Sequence, residues 1–270
     1  MKIAISNIAW DHKQDDQIIE ILSKFDIRGL EIAPTKIWPD PVNTSLEEIN
    51  RYRQFWLKKN IRIIAMQSLL YRHPELTIFE NAEARQNTQK YLCKIIKLAG
   101  KLGVKNVVLG SPTNRKTYGL NYESILKIAK DFFYKIADVA QANQLNFCIE
   151  PNPKEYGTDF VTNTDQAIQL VEIINHPHFR LHLDSGAMAL NKENYHDVIS
   201  RAIKYTTHFH ISEDNLILIG QGLVNHETVA NSLKKNKYQG WVSIEMRSKQ
   251  DDSDLKNVED SLKLVTSIYR

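Results

Sequence analysis

The chain has 270 residues and is 42% hydrophobic, enough for one sizeable core and close to the roughly 250 residues of a single eight-stranded barrel. Its 35 basic and 32 acidic residues leave a net charge of +3, without the basic footprint that nucleic-acid binding needs. Cys93 and Cys148 lie far apart with no metal-type spacing, and there is neither a signal core nor a run of about 18 apolar residues. A disulfide framework and membrane contact are therefore not expected, and a reduced cytoplasmic setting is.

Short strand-like runs alternate with helical patterns from one end to the other. The runs fall near Lys2–Ser6, Gly29–Ala33, Ile61–Gln67, Asn106–Gly110, Asn146–Glu150, Arg180–Asp184, Thr206–Ile211 and Trp241–Glu245. Several are almost continuously apolar, as strands covered on both faces should be. Between them, Ser45 and Glu48 form a capping box that opens the second helix. Tyr91, Leu92, Ile95, Ile96, Ala99 and Leu102 make one apolar helical stripe, and Gly100 and Gly103 fall where that helix should end. Ile125, Ile128, Ala129, Phe132, Phe133, Ile136, Val139 and Ala140 make the next. No linker or low-complexity stretch interrupts the alternation. Eight strands in strict βα order predict an α/β fold, a single (β/α)8 TIM barrel over residues 1–270, with a doubly wound sheet as the runner-up.

Long segments follow strands 3, 4 and 7, whereas helix-to-strand turns such as Gly103-Val-Lys are short. In barrels the loops at the C-terminal strand ends build the site. Four runs end in residues able to hold a metal: Glu150, Asp184, His210 and Glu245. Alternate residues of a barrel strand point inward, so these four ends, on consecutive strands 5 to 8, should meet on one arc. Three carboxylates and one imidazole suit one divalent metal ion, Mn2+ or Mg2+ first because hard oxygens dominate, with Co2+ and Zn2+ also fitting. A single acid at a strand end is more often a cap or an ion pair, and only the repetition on four strands raises the metal reading.

His182 and His208 lie two residues before Asp184 and His210 and should point inward one layer deeper, behind the ligands. The alternative for each is a core histidine satisfied by a neighbour. Arg115 and Arg247 are expected at the mouth, where a guanidinium fork would meet a phosphate or carboxylate, unless they form surface ion pairs. Glu31 and Gln67, ending strands 2 and 3, are candidates for substrate hydroxyls. Gly220 and Gly222 form either a phosphate-binding turn or, more simply, a plain one. Trp10, Trp38 and Tyr71 could wall an apolar sugar face or pack under loops.

These residues resemble the xylose isomerase-like TIM-barrel superfamily, in its sugar phosphate isomerase/epimerase branch. The likeness spans essentially the whole chain and is carried by Gly29-Leu-Glu-Ile-Ala-Pro-Thr-Lys-Ile-Trp38, Gly110-Ser-Pro-Thr-Asn-Arg115, Glu150-Pro-Asn, His208-Phe-His-Ile-Ser-Glu213 and Ser243-Ile-Glu-Met-Arg247. The metal site is most similar to that of D-tagatose 3-epimerase-type ketose epimerases. The resemblance implies that Glu150, Asp184, His210 and Glu245 hold one metal and that Glu150 and Glu245 are the catalytic acid–base pair. It further implies isomerisation or epimerisation of a sugar or sugar phosphate by proton transfer through a metal-bound enediolate, with a homo-oligomer allowed. One departure is visible: a substrate-contacting histidine follows the strand 6 aspartate by three residues in those epimerases, and Ala187 stands there here. Alternatives are a metal-dependent dehydratase of a cyclic polyol or shikimate-type acid, and a non-catalytic ligand-binding barrel. Cleavage at abasic sites in DNA, another activity of the superfamily, needs extra histidines where this chain has Gln67, Gly110-Ser111 and Ala187.

Overall fold

A computed structural model describes all 270 residues. Eight parallel strands close into a barrel in chain order: β1 (Lys2–Ser6), β2 (Gly29–Ile32), β3 (Arg62–Met66), β4 (Asn106–Leu109), β5 (Asn146–Ile149), β6 (Phe179–Asp184), β7 (Thr206–Ser212) and β8 (Trp241–Glu245). The protein is a (β/α)8 TIM barrel. A doubly wound sheet is excluded because β1 pairs with both β2 and β8, leaving no sheet edge. Nine helices surround it: α1 (Asp15–Lys24), α2 (Leu46–Leu57), α3 (Ala82–Leu102), α4 (Tyr122–Ala142), α5 (Thr164–Ile174), α6 (Ser185–Leu190), α7 (Tyr195–Ala202), α8 (His226–Lys235) and α9 (Ser253–Tyr269). No helix is long and apolar enough to cross a membrane.

The helix signals act locally as expected. Ser45 Oγ accepts from the Glu48 amide while the Glu48 carboxylate accepts from the Ser45 amide, a reciprocal cap that satisfies two otherwise free donors. Asparagine side chains cap α3, α4, α5, α7 and α8 by accepting from an amide of the first turn, from Asn81, Asn121, Asn163, Asn194 and Asn225. The expected end of α3 needs one correction. Gly103 is the left-handed terminator, at φ 83°, but Gly100 lies inside the helix. Its missing Cβ lets Asn143, at the end of α4, pack against α3.

One large apolar cluster fills the space between barrel and helices. It includes Phe132, Phe133 and Ile136 of α4 against Phe147 of β5 and Phe179 of β6. A separate small cluster of Ala4, Ile64 and Ala65 packs with Trp241, whose ring occupies the space a Gly29 side chain would need. The upper interior is polar. Its buried groups include Ser6, Glu31, Gln67, His182, Asp184, His208, His210, Ser212, Ser243 and Glu245. A barrel that stabilised only itself would fill this space with branched aliphatics, so the polar layer marks the site.

Candidate metal centre at the barrel mouth

Strand register sets the geometry. His182 lies opposite His208 and Asp184 opposite His210, while Ser212 lies opposite Glu245. His210 is 1% exposed and its two ring nitrogens face different groups. Nε2 lies 2.9 Å from Glu31 Oε2. An ionised carboxylate only accepts, so Nε2 carries a proton and donates, which makes Nδ1 the nitrogen that could give up its proton to a cation. Nδ1 lies 3.0 Å from Glu245 Oε2 and 3.7 Å from Asp184 Oδ2, yet has no aligned hydrogen bond. Ligand atoms of Glu150, His182, Asp184 and His210 all fall within 4.8 Å of one another.

A divalent cation fits this donor set. It would displace the Nδ1 proton of His210 and draw together carboxylates that otherwise repel. Burial, then the charges of Asp184 and Glu245, push the Glu150 carboxyl up to about 8. Burial and Glu245 push Asp184 up to about 6. A carboxylate on the far nitrogen of a ligating histidine is the usual device for fixing ring and tautomer, and Glu31 occupies that place for His210.

Glu31, expected at the mouth as a contact for substrate hydroxyls, is fully buried and bridges two histidines, with His208 Nε2 3.1 Å from its Oε1. Burial opposes its charge, but His210 and His208 hold it well below the usual carboxylate range. His208 thus lies behind the ligands. His182 is fully buried with its ring 4.0 Å, centroid to centroid, from that of His210. Burial drives its pKa well below the usual imidazole value.

Asp184 does two jobs. Its Oδ1 accepts from the Ala187 amide at 2.6 Å, capping α6, and its Oδ2 accepts from Ser212 Oγ at 2.6 Å. Gly110 makes room for Glu150, since a Cβ there would collide with Glu150 Oε2.

A cavity of about 380 Å3 opens above these groups, lined by Glu150, Asp184 and Glu245 together with Gln67, Arg247 and Tyr156 among others. Gln67 is oriented by a bond from its Nε2 to Ser6 Oγ at 2.5 Å. Arg247 is exposed, is the single basic side chain of the lining, and forms no ion pair. Arg115, expected beside it as an anion contact, is absent from the lining and fully buried. It donates to the Glu150 backbone oxygen at 3.0 Å, to Asn152 Oδ1 at 2.6 Å and to the Phe160 oxygen at 3.3 Å. The charge was legible, but the loop that folds it inward was not. Gly220 is not a phosphate turn either, because its amide already donates to Glu213 Oε1. Trp10 is buried and Tyr71 is exposed, and neither lines the cavity, nor does Trp38.

Sequence reasoning missed Asn152, Tyr156 and Asn215, all in the lining. The Tyr156 hydroxyl accepts from the Asn215 amide at 3.1 Å, joining the loops after β5 and β7. Asn152 stands in the Glu150-Pro-Asn segment and could have been singled out there. Tyr156 and Asn215 carry no local signal.

The model of the xylose isomerase-like TIM barrel family matches residues 19–268. The chain belongs to that family. D-psicose 3-epimerase of Enterocloster bolteae is 29% identical to this xylose isomerase-like barrel over 87 residues, which is 32% of the chain and 29% of that epimerase. D-psicose 3-epimerase from Clostridium cellulolyticum H10, solved with D-tagatose, superposes with a TM-score of 0.81 at 18% identity, covering 100% of both chains. The 3-keto-D-glucoside 4-epimerase of E. coli gives 0.81 at 17%, over 99% of each. A probable 3-DHS dehydratase from Bacillus anthracis gives 0.75 at 13%, over 98% of this chain and 99% of that one. At such identities the structural likeness establishes the shared barrel, and the chemistry has to be argued from the site.

Proposed function

We propose that the protein is a divalent-metal-dependent sugar isomerase or epimerase that works by proton transfer at a carbon next to a carbonyl. The observation that carries this reading is His210 Nδ1, buried without an aligned hydrogen bond and facing Glu245 and Asp184. Glu150, Asp184, His210 and Glu245 would hold the cation, with Mn2+ or Mg2+ suiting the three carboxylates. Bound there, it supplies Lewis-acid stabilisation for the negative charge that proton removal leaves on the substrate oxygens.

The chain's own groups do the rest. Glu150 on β5 and Glu245 on β8 stand three strands apart in an eight-strand ring, so they reach the bound sugar from different sides. One removes the proton from the carbon, and the other, itself protonated, gives its own proton to the opposite face, or to the neighbouring carbon in an isomerisation. Glu245 is buried, at 8% exposed, and Glu150 is half-buried, which limits the access of bulk water to the proton being transferred. Gln67 and Arg247 meet the outer oxygens of the substrate. The likeness to ketose 3-epimerases points to a ketose, while Arg247 admits a phosphorylated or carboxylated one.

The test is metal-stripped protein, reloaded with Mn2+ or Mg2+, against ketoses, ketose phosphates and cyclic polyol acids. Epimer formation that appears on reloading and vanishes on chelation is the expected result. Water loss from a polyol acid would instead favour the dehydratase reading, and inertness towards all three classes would favour a binding barrel.

A further inference from the structure

The four-ligand description leaves one buried group at the site without a role. We infer that His182 is a fifth ligand, so that two imidazoles rather than one hold the cation. This rests on the reading that the barrel mouth binds a divalent cation, and extends it to which cation is preferred.

His182 is fully buried, and neither of its ring nitrogens has a hydrogen-bond partner. A neutral imidazole offers one donor and one acceptor, and leaving both unmet in a barrel interior is costly. Each neighbouring ring has a partner for one nitrogen, since Nε2 of His208 and Nε2 of His210 both face Glu31, whereas His182 has none. No carboxylate lies within ion-pair distance of His182, so Glu31 does not serve it. One of its nitrogens lies within 4.8 Å of ligand atoms of Glu150, Asp184 and His210, so it faces the same volume as three of the proposed ligands. His182 shares its strand face with Asp184, two residues on, and its ring stands edge-on to that of His210 at 68° and tilted by 38° from that of His208. It is therefore packed into place from below.

A set of three carboxylates and two imidazoles is more nitrogen-rich than one that favours Mg2+. Imidazole suits zinc and the later transition metals, whereas carboxylate suits magnesium and manganese. The second histidine should therefore shift the preference of this barrel towards Zn2+ and Co2+.

The experiment uses the full chain, stripped of metal and reloaded. Pulsed EPR of the Mn2+-loaded protein counts directly coordinated nitrogens, and two are expected in the wild type against one in His182→Gln. Competition titrations should show Zn2+ and Co2+ binding weakened by about 10- to 100-fold in His182→Gln, with Mg2+ affected far less. A single coordinated nitrogen in the wild type, or unchanged Zn2+ affinity in the variant, would overturn the fifth ligand while leaving the metal reading intact. Failure of the wild type to bind any divalent cation would overturn both. Should the variant not fold, the wild-type nitrogen count still decides.

Discussion

Glu31 shows how one side chain can govern a site from outside it. Buried beneath the mouth, it accepts from His208 and His210 and so leaves His210 Nδ1 facing the other proposed ligands. Glu31→Gln keeps size and burial but introduces an amide that can donate as well as accept, so the tautomer is no longer dictated. Divalent-cation affinity should fall by about 10- to 100-fold with the barrel still folded, as measured by calorimetric titration and circular dichroism. Undiminished affinity would remove Glu31 from the site. At this scale the proposed ligands were legible because each closes a strand, and alternation then sends them inward. The role of Glu31 was not, because its partners lie 177 and 179 residues away and only barrel closure brings them near. Arg115 failed for a related reason: a charged side chain after a strand reads as solvent-facing, whereas here three oxygens take its guanidinium inside.

Loops and strand ends carry the next level. Gly110, just past β4, is small because Glu150 from β5 needs the space. Gly110→Ala should displace the Glu150 carboxylate and lower turnover by at least about tenfold, since misplacement of about 1 Å costs up to a hundredfold. Melting temperature should move little, and steady-state kinetics beside a thermal scan would separate the two effects. The segment after β7 is ordered by Glu213, which accepts from the amides of Gly220 and Val224 and from His226 Nε2. His226 Nδ1 in turn meets the Tyr269 hydroxyl at 2.9 Å, tying α8 to the end of α9. Glu213→Ala leaves the buried His226 donor and two half-buried amides unmet and should cost about 1 to 3 kcal/mol in denaturant unfolding. A loss below about 0.5 kcal/mol would show that the loop is held by other contacts. The length of this loop was visible in the sequence, but its internal carboxylate was hidden inside the His208–Glu213 motif.

For the whole molecule, the alternation of eight strands and the helical stripes made the barrel legible, because each unit buries an apolar strand and one helix face. Boundaries shifted by one residue at Ala33, Gln67 and Gly110, which lie just past the ends of β2, β3 and β4. The polar interior has a consequence for stability. Glu150 and Asp184, pushed up to about 8 and about 6, hold protons in the folded metal-free protein that the unfolded chain has already lost. Their contribution is full below the unfolded carboxylate range and is lost as pH rises through the folded values. His210, held well above its usual value chiefly by Glu31 and Glu245 against the effect of burial, adds a loss of the same sign above its unfolded value. The melting temperature of metal-free protein should therefore fall from about pH 5 to about pH 8, and the rise on adding a divalent cation should be largest at the alkaline end. A metal-induced shift independent of pH would contradict that assignment. The central claim is that Glu150 and Glu245 exchange a proton at a sugar carbon beside a carbonyl. The most direct measurement is NMR of ketoses incubated in deuterated water with metal-loaded wild type, Glu150→Gln and Glu245→Gln. Deuterium entering at that carbon with wild type, and slowed by about 100-fold or more in each variant, is the predicted result. Exchange at wild-type rate in both folded variants would contradict the account.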